Sequence, residues 1–370
     1  MHKTLITAAG VSAALLAVAA TLPAQATGGH ATATRQAAFQ VVAQGLHGPR
    51  GVTFASGDLY VAEAGEGGTG PCIAGGEGPS CYGRTGSVTR VRHGKQVRVL
   101  KRLPSLSNQG THDAPIGPSD LRVIGRHTIV LSMGLGGAPS ERAKLPKLGQ
   151  RQLGHLLAFD ARTGRAVSLG DLARHEAKAN PVNEPNSDPT GLVQAGGGRF
   201  LVTDSGGNDL VRTRLGTVRT VAAIHNRMST GPSPVSYESV PTDVVRGPDG
   251  AYYVSELTGF PFIPGAARIW RVVPGQTPTV WASGLTNVTS LAFAGNRLYA
   301  VQIADKGLLD PGGPIGSLRR VFPDVSGKPS RPVASGMFAP YGVAIHRGAA
   351  YVSTGAVASS GGTVIKVPLG

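Results

Sequence analysis

Six short apolar runs in this chain end on side chains able to ligate or hydrogen-bond: Tyr60-Val61-Ala62-Glu63, Ile129-Val130-Leu131-Ser132, Leu201-Val202-Thr203-Asp204, Tyr253-Val254-Ser255-Glu256, Tyr299-Ala300-Val301-Gln302 and Tyr351-Val352-Ser353-Thr354. Three of those ends are carboxylates. Convergent oxygens of this kind hold Ca²⁺ or orient a polar ligand, which makes Glu63, Asp204 and Glu256 the candidate metal ligands. Gln302 and Asn186 are expected beside them as ligand-binding groups. Brought close together, such carboxylates need a cation or strong donors to stay ionised. The competing role is structural: each accepts hydrogen bonds from a neighbouring repeat and locks the fold.

His112-Asp113 is the candidate base and orienter for acid–base catalysis. Gly65-Glu66-Gly67-Gly68-Thr69-Gly70 matches G-x-G-x-x-G, but a dinucleotide site needs a helix to start there, and Pro71-Cys72 follow inside a loop. G-x-S-x-G, H-E-x-x-H and a Walker loop are absent. The two cysteines, Cys72 and Cys81, share one Gly/Pro-rich loop. Such a close pair reads as a local disulfide in an oxidising compartment, and it leaves no free thiol for catalysis.

The elements that must position these residues form a repeat. The six polar-ended runs are each preceded by a turn into an apolar strand: Pro49-Arg50-Gly51-Val52, Pro118-Ser119-Asp120-Leu121, Pro189-Thr190-Gly191-Leu192, Pro241-Thr242-Asp243-Val244, Val288-Thr289-Ser290-Leu291 and Pro340-Tyr341-Gly342-Val343. A third strand follows each run, as in Arg268 to Val272. Short strands in fixed order, with Gly/Pro turns and no helical periodicity, predict an all-β, six-bladed β-propeller of four-stranded blades. The last copy ends without an outer strand, whereas Val41 to Leu46 has the outer-strand pattern and precedes the first copy. The N-terminal strand is therefore expected to complete the last blade, which removes two open sheet edges.

Turns between first and second strands are short, for example Pro248-Asp249-Gly250 and Gly295-Asn296. The long insertions, such as 65–85, 134–154 and 173–188, all open on the other face, here called upper. Insertions confined to one face mark the binding face of a repeat protein.

His2-Lys3, an apolar stretch from Leu5 to Leu22 and Ala24-Gln25-Ala26 read as a secretory signal cleaved after Ala26. Residues 1–26 are thus the expected signal peptide, 27–36 a disordered tail and 37–370 the propeller. No later segment has the length and apolarity to cross a bilayer, so the expected location is extracytoplasmic. The formal net charge of +15 favours anionic surfaces such as cell-envelope polymers. The basic residues are scattered along strands, as at Arg90 and Arg92, with no basic helix face, so nucleic acid is not the expected partner.

Several stretches are similar to the ScyD/ScyE family of exported propeller proteins, over nearly all of the mature chain. They are Gly67-Gly68-Thr69-Gly70-Pro71-Cys72 with Cys81 and Thr85-Gly86-Ser87-Val88, Glu256-Leu257-Thr258-Gly259-Phe260-Pro261-Phe262, and Gly206-Gly207-Asn208-Asp209-Leu210. In that family the segment before the third blade reads Asn-Pro-Asp and then Ser-Asn-Pro-Tyr-Gly. Here Asn180-Pro181 is followed by Val182, and Ser187-Asp188-Pro189-Thr190-Gly191 takes the second place. The resemblance implies an NHL-like propeller and export, and supplies no reaction. The expected function is binding of a small molecule or protein on the upper face. The alternatives are a Ca²⁺-dependent, lactonase-like hydrolase at the channel mouth and a cell-envelope interaction module.

Overall fold

The computed structural model describes residues 39–370 apart from Glu77, Glu184 and Gly231. The expected signal peptide and tail lie outside the described residues.

Six antiparallel sheets form the blades, and a two-stranded pair, Arg227–Met228 with Ser236–Tyr237, lies between blades 3 and 4 in sequence. Blade 1 takes its four long strands from Pro49–Ala55, Asp58–Glu63, Gly78–Arg92 and Lys95–Asn108. Blade 2 uses Pro118–Ile124, Thr128–Met133, His155–Asp160 and Ala166–Asp171. Blade 3 runs from Pro189–Gly196 to Thr217–Ala223, blade 4 from Pro241–Arg246 to Thr279–Leu285, and blade 5 from Val288–Ala294 to Arg331–Phe338. In blade 6, Val343–His346, Ala349–Thr354 and Gly362–Pro368 are followed in the sheet by Gln40–Leu46, with Gln40 opposite Lys366 and Leu46 opposite Gly362.

Burial explains the strand patterns. Second strands lie between neighbouring blades and are covered on both sides, so Tyr252–Glu256 is buried at every position and reads as a continuous run. Outer strands face water on one side, and Thr217–Ala223 alternates accordingly. The core is divided among interblade layers. In one of them Tyr253, Ile269 and Leu285 of blade 4 pack against Leu291 and Leu298 of blade 5.

Several insertions are more regular than the sequence suggested. The 65–85 segment contains a strand, Cys72–Gly75, that pairs with the extended third strand of blade 1 and sets Cys72 directly opposite Cys81. The two cysteines form a disulfide. The 173–188 insertion opens as a helix, Leu172–Ala179, capped by the Asp171 side chain, which accepts from the Arg174 N–H. Eight residues are too few for helical periodicity to stand out against β-pattern neighbours.

Candidate functional site

Each of the first five inner strands carries a register shift just after it starts, between Pro49 and Val52, Pro118 and Leu121, Pro189 and Leu192, Pro241 and Val244, and Val288 and Ser290. A bulge re-aims the residue inside it. Here it helps bring Gly51, Asp120, Gly191, Asp243 and Ser290 to the channel, together with Gly342 of blade 6. The enclosed space is about 30 Å³, room for a water and little more. The glycines are required by this closeness. A Cβ at Gly191 would lie 2.4 Å from the Asp243 Cα, and one at Gly51 would lie 2.8 Å from the Asp120 Cα.

The two channel carboxylates stitch blades together. Asp120 accepts from its own strand's Leu121 N–H (2.7 Å) and from the Leu192 N–H of blade 3 (2.9 Å), with Arg122 at 3.1 Å. Asp243 accepts from Val244 N–H (2.7 Å), and from Ser290 Oγ (2.7 Å) and Leu291 N–H (2.8 Å) of blade 5. Burial, reinforced by the nearby charge of Asp120, pushes the Asp243 carboxyl up to about 6. Neither residue was singled out as functional from sequence. The signal was there: aligning the repeats puts acids in blades 2 and 4 where blades 1, 3 and 6 have glycine.

The polar strand ends divide into separate sites. Register shows that Pro49, Pro189 and Pro241 pair with Glu63, Asp204 and Glu256, and Val288 with Gln302, whereas Pro118 pairs with Met133. The blade 2 member of the row is therefore Met133, and Ser132 belongs one residue inward. A one-residue slip moves a side chain to the other face of its strand. In the inward row, Ser132 Oγ donates to the Thr190 carbonyl and Ser353 Oγ to the Arg50 carbonyl, each across a blade boundary.

Glu63 is enclosed by its own surroundings. It accepts from Arg98 Nη2 (2.9 Å), Ser87 Oγ (2.7 Å), Thr89 Oγ1 (2.5 Å) and His47 N–H (2.9 Å). Burial alone would raise this carboxyl, but Arg98 and the three other donors outweigh it and hold it below its ordinary value. Glu256 takes both Arg227 nitrogens (2.6 and 2.7 Å), Trp270 Nε1 (2.6 Å) and Arg268 N–H (3.1 Å). Gln302 accepts from Thr286 N–H and donates to Asp305. These residues act within or beside their own blades, and no group of three described His, Cys, Asp or Glu residues is arranged to hold a metal ion. Each of the two glutamates already has an arginine counter-charge, Arg98 at Glu63 and Arg227 at Glu256.

Asp204 has different company. It accepts from Ser187 Oγ (2.7 Å), Asp188 N–H (2.5 Å) and Gly207 N–H (3.2 Å), with no basic side chain among these donors. Around it lie Glu176 from the helix, Asp188 from the insertion and Asp209 from the next strand. Burial and the charge of Asp204 push Glu176 and Asp188 up to about 7 and raise Asp209 well above its ordinary value. Glu176 Oε1, Asp188 Oδ1 and Asp209 Oδ1 are buried without hydrogen-bond partners, as is Asn186 Oδ1. Asn186 touches the same turn: a Cβ at Gly206 would lie 2.9 Å from its Oδ1. Burial and like charge therefore favour protonation in this cluster. Glu176 sits in an insertion with no repeat counterpart, so the repeat alignment gave no sign of it.

His112 and Asp113 have separate hydrogen-bond partners. Asp113 Oδ1 accepts from Thr111 Oγ1 (2.6 Å) and Asn108 Nδ2 (2.9 Å), and His112 Nδ1 lies 3.1 Å from the Glu66 carbonyl.

A groove of about 800 Å³ opens on the upper rim of blade 2. Its centre is Asp171, which receives Arg142 Nη1 and Nη2 at 2.7 and 2.9 Å and lies 3.4 Å from His155 Nε2. Burial pulls the Asp171 carboxyl up, but His155, Arg142 and the Arg174 N–H together hold it well below the usual carboxylate range. Arg142 comes from the 3-10 turn Glu141–Lys144 and Arg151 from the helix Lys147–Gln152, both in the 134–154 insertion.

No protein-family profile matches the chain, and no curated protein sequence does. Solved structures similar to it are propellers. A glucose dehydrogenase superposes with a TM-score of 0.51 at 12% identity, covering 90% of this chain and all of the other. A virginiamycin B lyase from Staphylococcus aureus gives 0.44 at 14% identity, over 87% of this chain and 98% of that one. An aldose sugar dehydrogenase from Streptomyces coelicolor gives 0.41 at 17%, over 68% and 78%. At these identities the likeness concerns the fold.

Proposed function

We propose that the chain is an extracytoplasmic binding propeller that takes its ligand or partner on the upper face, at the rim of blade 2 and off the propeller axis. The observation that carries this reading is the contrast in space. The channel encloses about 30 Å³ and the blade 2 groove about 800 Å³, within the range of ligand sites. The Cys72–Cys81 disulfide supports an oxidising compartment, and the ScyD/ScyE likeness supports export. A Ca²⁺-dependent hydrolase at the channel mouth draws less support, because Arg98 and Arg227 occupy the carboxylates it needs.

Leu148→Trp fills the groove with an indole. Thermal-shift measurements across a panel of soluble saccharides, organic acids and phosphate esters should give stabilising compounds for the parent that do not stabilise this variant. Equal stabilisation of both proteins, or no stabilising compound for the parent, counts against the reading.

A further inference from the structure

We infer that the blade 2 groove binds a flexible polyanion, a polyol phosphate or a polyuronate, through Arg151 and Arg174. The inference rests on the reading above that this groove is the binding site, and it names the ligand.

Three observations set the chemistry. The first is uncompensated charge. Arg142 lines the groove but is committed, with both terminal nitrogens on Asp171 and Nη1 also on the Leu153 carbonyl. That bidentate pair cancels Asp171, the one carboxylate lining the groove. Arg151 has no ion-pair partner among the described residues, and Arg174 reaches Asp171 only at 3.9 Å with its side chain 73% exposed. Two guanidinium groups on separate helices are left facing the groove, each offering the planar donor fork suited to phosphate and carboxylate.

The second is size. About 800 Å³ exceeds what a single inorganic anion fills and suits several linked units. The third is what lines the walls. No Phe, Tyr or Trp does, so base stacking on those rings is not offered, while the exposed Ser168 hydroxyl offers a donor. The net charge of +15 adds long-range attraction for a chain of negative charges.

The test is equilibrium binding, by calorimetry at low and physiological salt, of three oligomers of similar length: glycerol phosphate, galacturonate and neutral maltose units. Arg151→Gln with Arg174→Gln is compared with Arg212→Gln with Arg214→Gln, which removes the same charge from exposed positions on blade 3. The expected result is binding of at least one anionic oligomer, weakened about tenfold or more by the groove pair and little by the blade 3 pair. Which oligomer binds separates the phosphate source from the carboxylate source. Equal weakening by both pairs shows diffuse attraction and overturns the site. Binding of the neutral oligomer alone, lost in Leu148→Trp, overturns the polyanion while leaving the groove as the binding site. No binding of either anion at low salt overturns the inference.

Discussion

Glu176 and Asp204 meet at the backbone of Gly207, where an added Cβ would lie 2.8 Å from Glu176 Oε2 and 3.4 Å from the Asp204 Cγ. Two buried acids this close cannot both ionise without a partner. Blades 1 and 4 solve the same problem with Arg98 and Arg227. In blade 3 no basic side chain donates to Asp204, and burial pushes its acidic neighbours toward the protonated form.

That difference predicts a pH dependence. Glu176 and Asp188 rise from 4.5 and 3.8 to about 7 on folding, so between those limits the native state binds more protons than the unfolded chain. Stability from the two acids is present in full below about pH 4 and is lost as pH rises through 7. Melting temperatures measured from pH 5 to 8 should fall, and Glu176→Gln should flatten the slope and stabilise at pH 8. An unchanged slope in that variant would show that Glu176 is ionised in the fold.

The glutamate–arginine pairs predict sensitivity to loss of one partner's charge. Arg227→Met leaves Glu256 buried without its counter-charge and should cost about 3–5 kcal/mol in chemical denaturation. Adding Glu256→Gln should restore most of that. Failure of the double variant to recover would assign the loss to the packing of Arg227 over Tyr237 and Trp270.

The sealed axis predicts intolerance of a single methyl group. Gly191→Ala places its Cβ against Asp243 and should destabilise by about 1–3 kcal/mol. Gly76→Ala has nothing within 4 Å and should be near neutral. Similar denaturation midpoints for the two variants would mean that the channel has slack.

The disulfide spans a sequence separation of 9, and loop entropy assigns it about 2–3 kcal/mol. Cys72→Ser with Cys81→Ser should lower the unfolding free energy by that amount in chemical denaturation and leave the far-ultraviolet circular dichroism unchanged. Loss of the β signal would instead make the bridge essential to folding.

Removal of 40–46 leaves Gly362–Pro368 as an unpaired sheet edge in blade 6. The shortened protein should aggregate on refolding and melt earlier. A monomer with the parent's melting temperature would show that this pairing contributes nothing.

The blades were legible in the sequence because each repeats one physical pattern: a turn, a strand buried on both sides, and a polar outer strand. Asp204 was visible for the same reason, as the polar end of such a strand. Asn186 was visible too, in the oxygen-rich segment before the third blade that also carries Asp188, although its Asn/Pro content equally reads as a turn. Glu176 was not, because it comes from a helix with no counterpart in other blades. Ser132 shows a finer limit. Both Ser132 and Met133 suit the end of a β-strand, and only pairing with Pro118 decides which faces which way. The blade 2 groove was hidden because Arg142, His155 and Asp171 meet from three elements that no motif links.

The hydroxyl of Ser353 donates to the Arg50 carbonyl across 303 positions of chain, and Gln40–Leu46 has its sheet partner in Gly362–Pro368. These two strands are separated by almost the whole described chain. Until blade 6 exists, the growing chain is an open arc in which Gln40–Leu46 lacks its sheet partner. Such long-range pairing slows folding and keeps the arc vulnerable to its neighbours. A companion that shields the first strand would act over the whole interval of synthesis and become superfluous at the last turn of the ring.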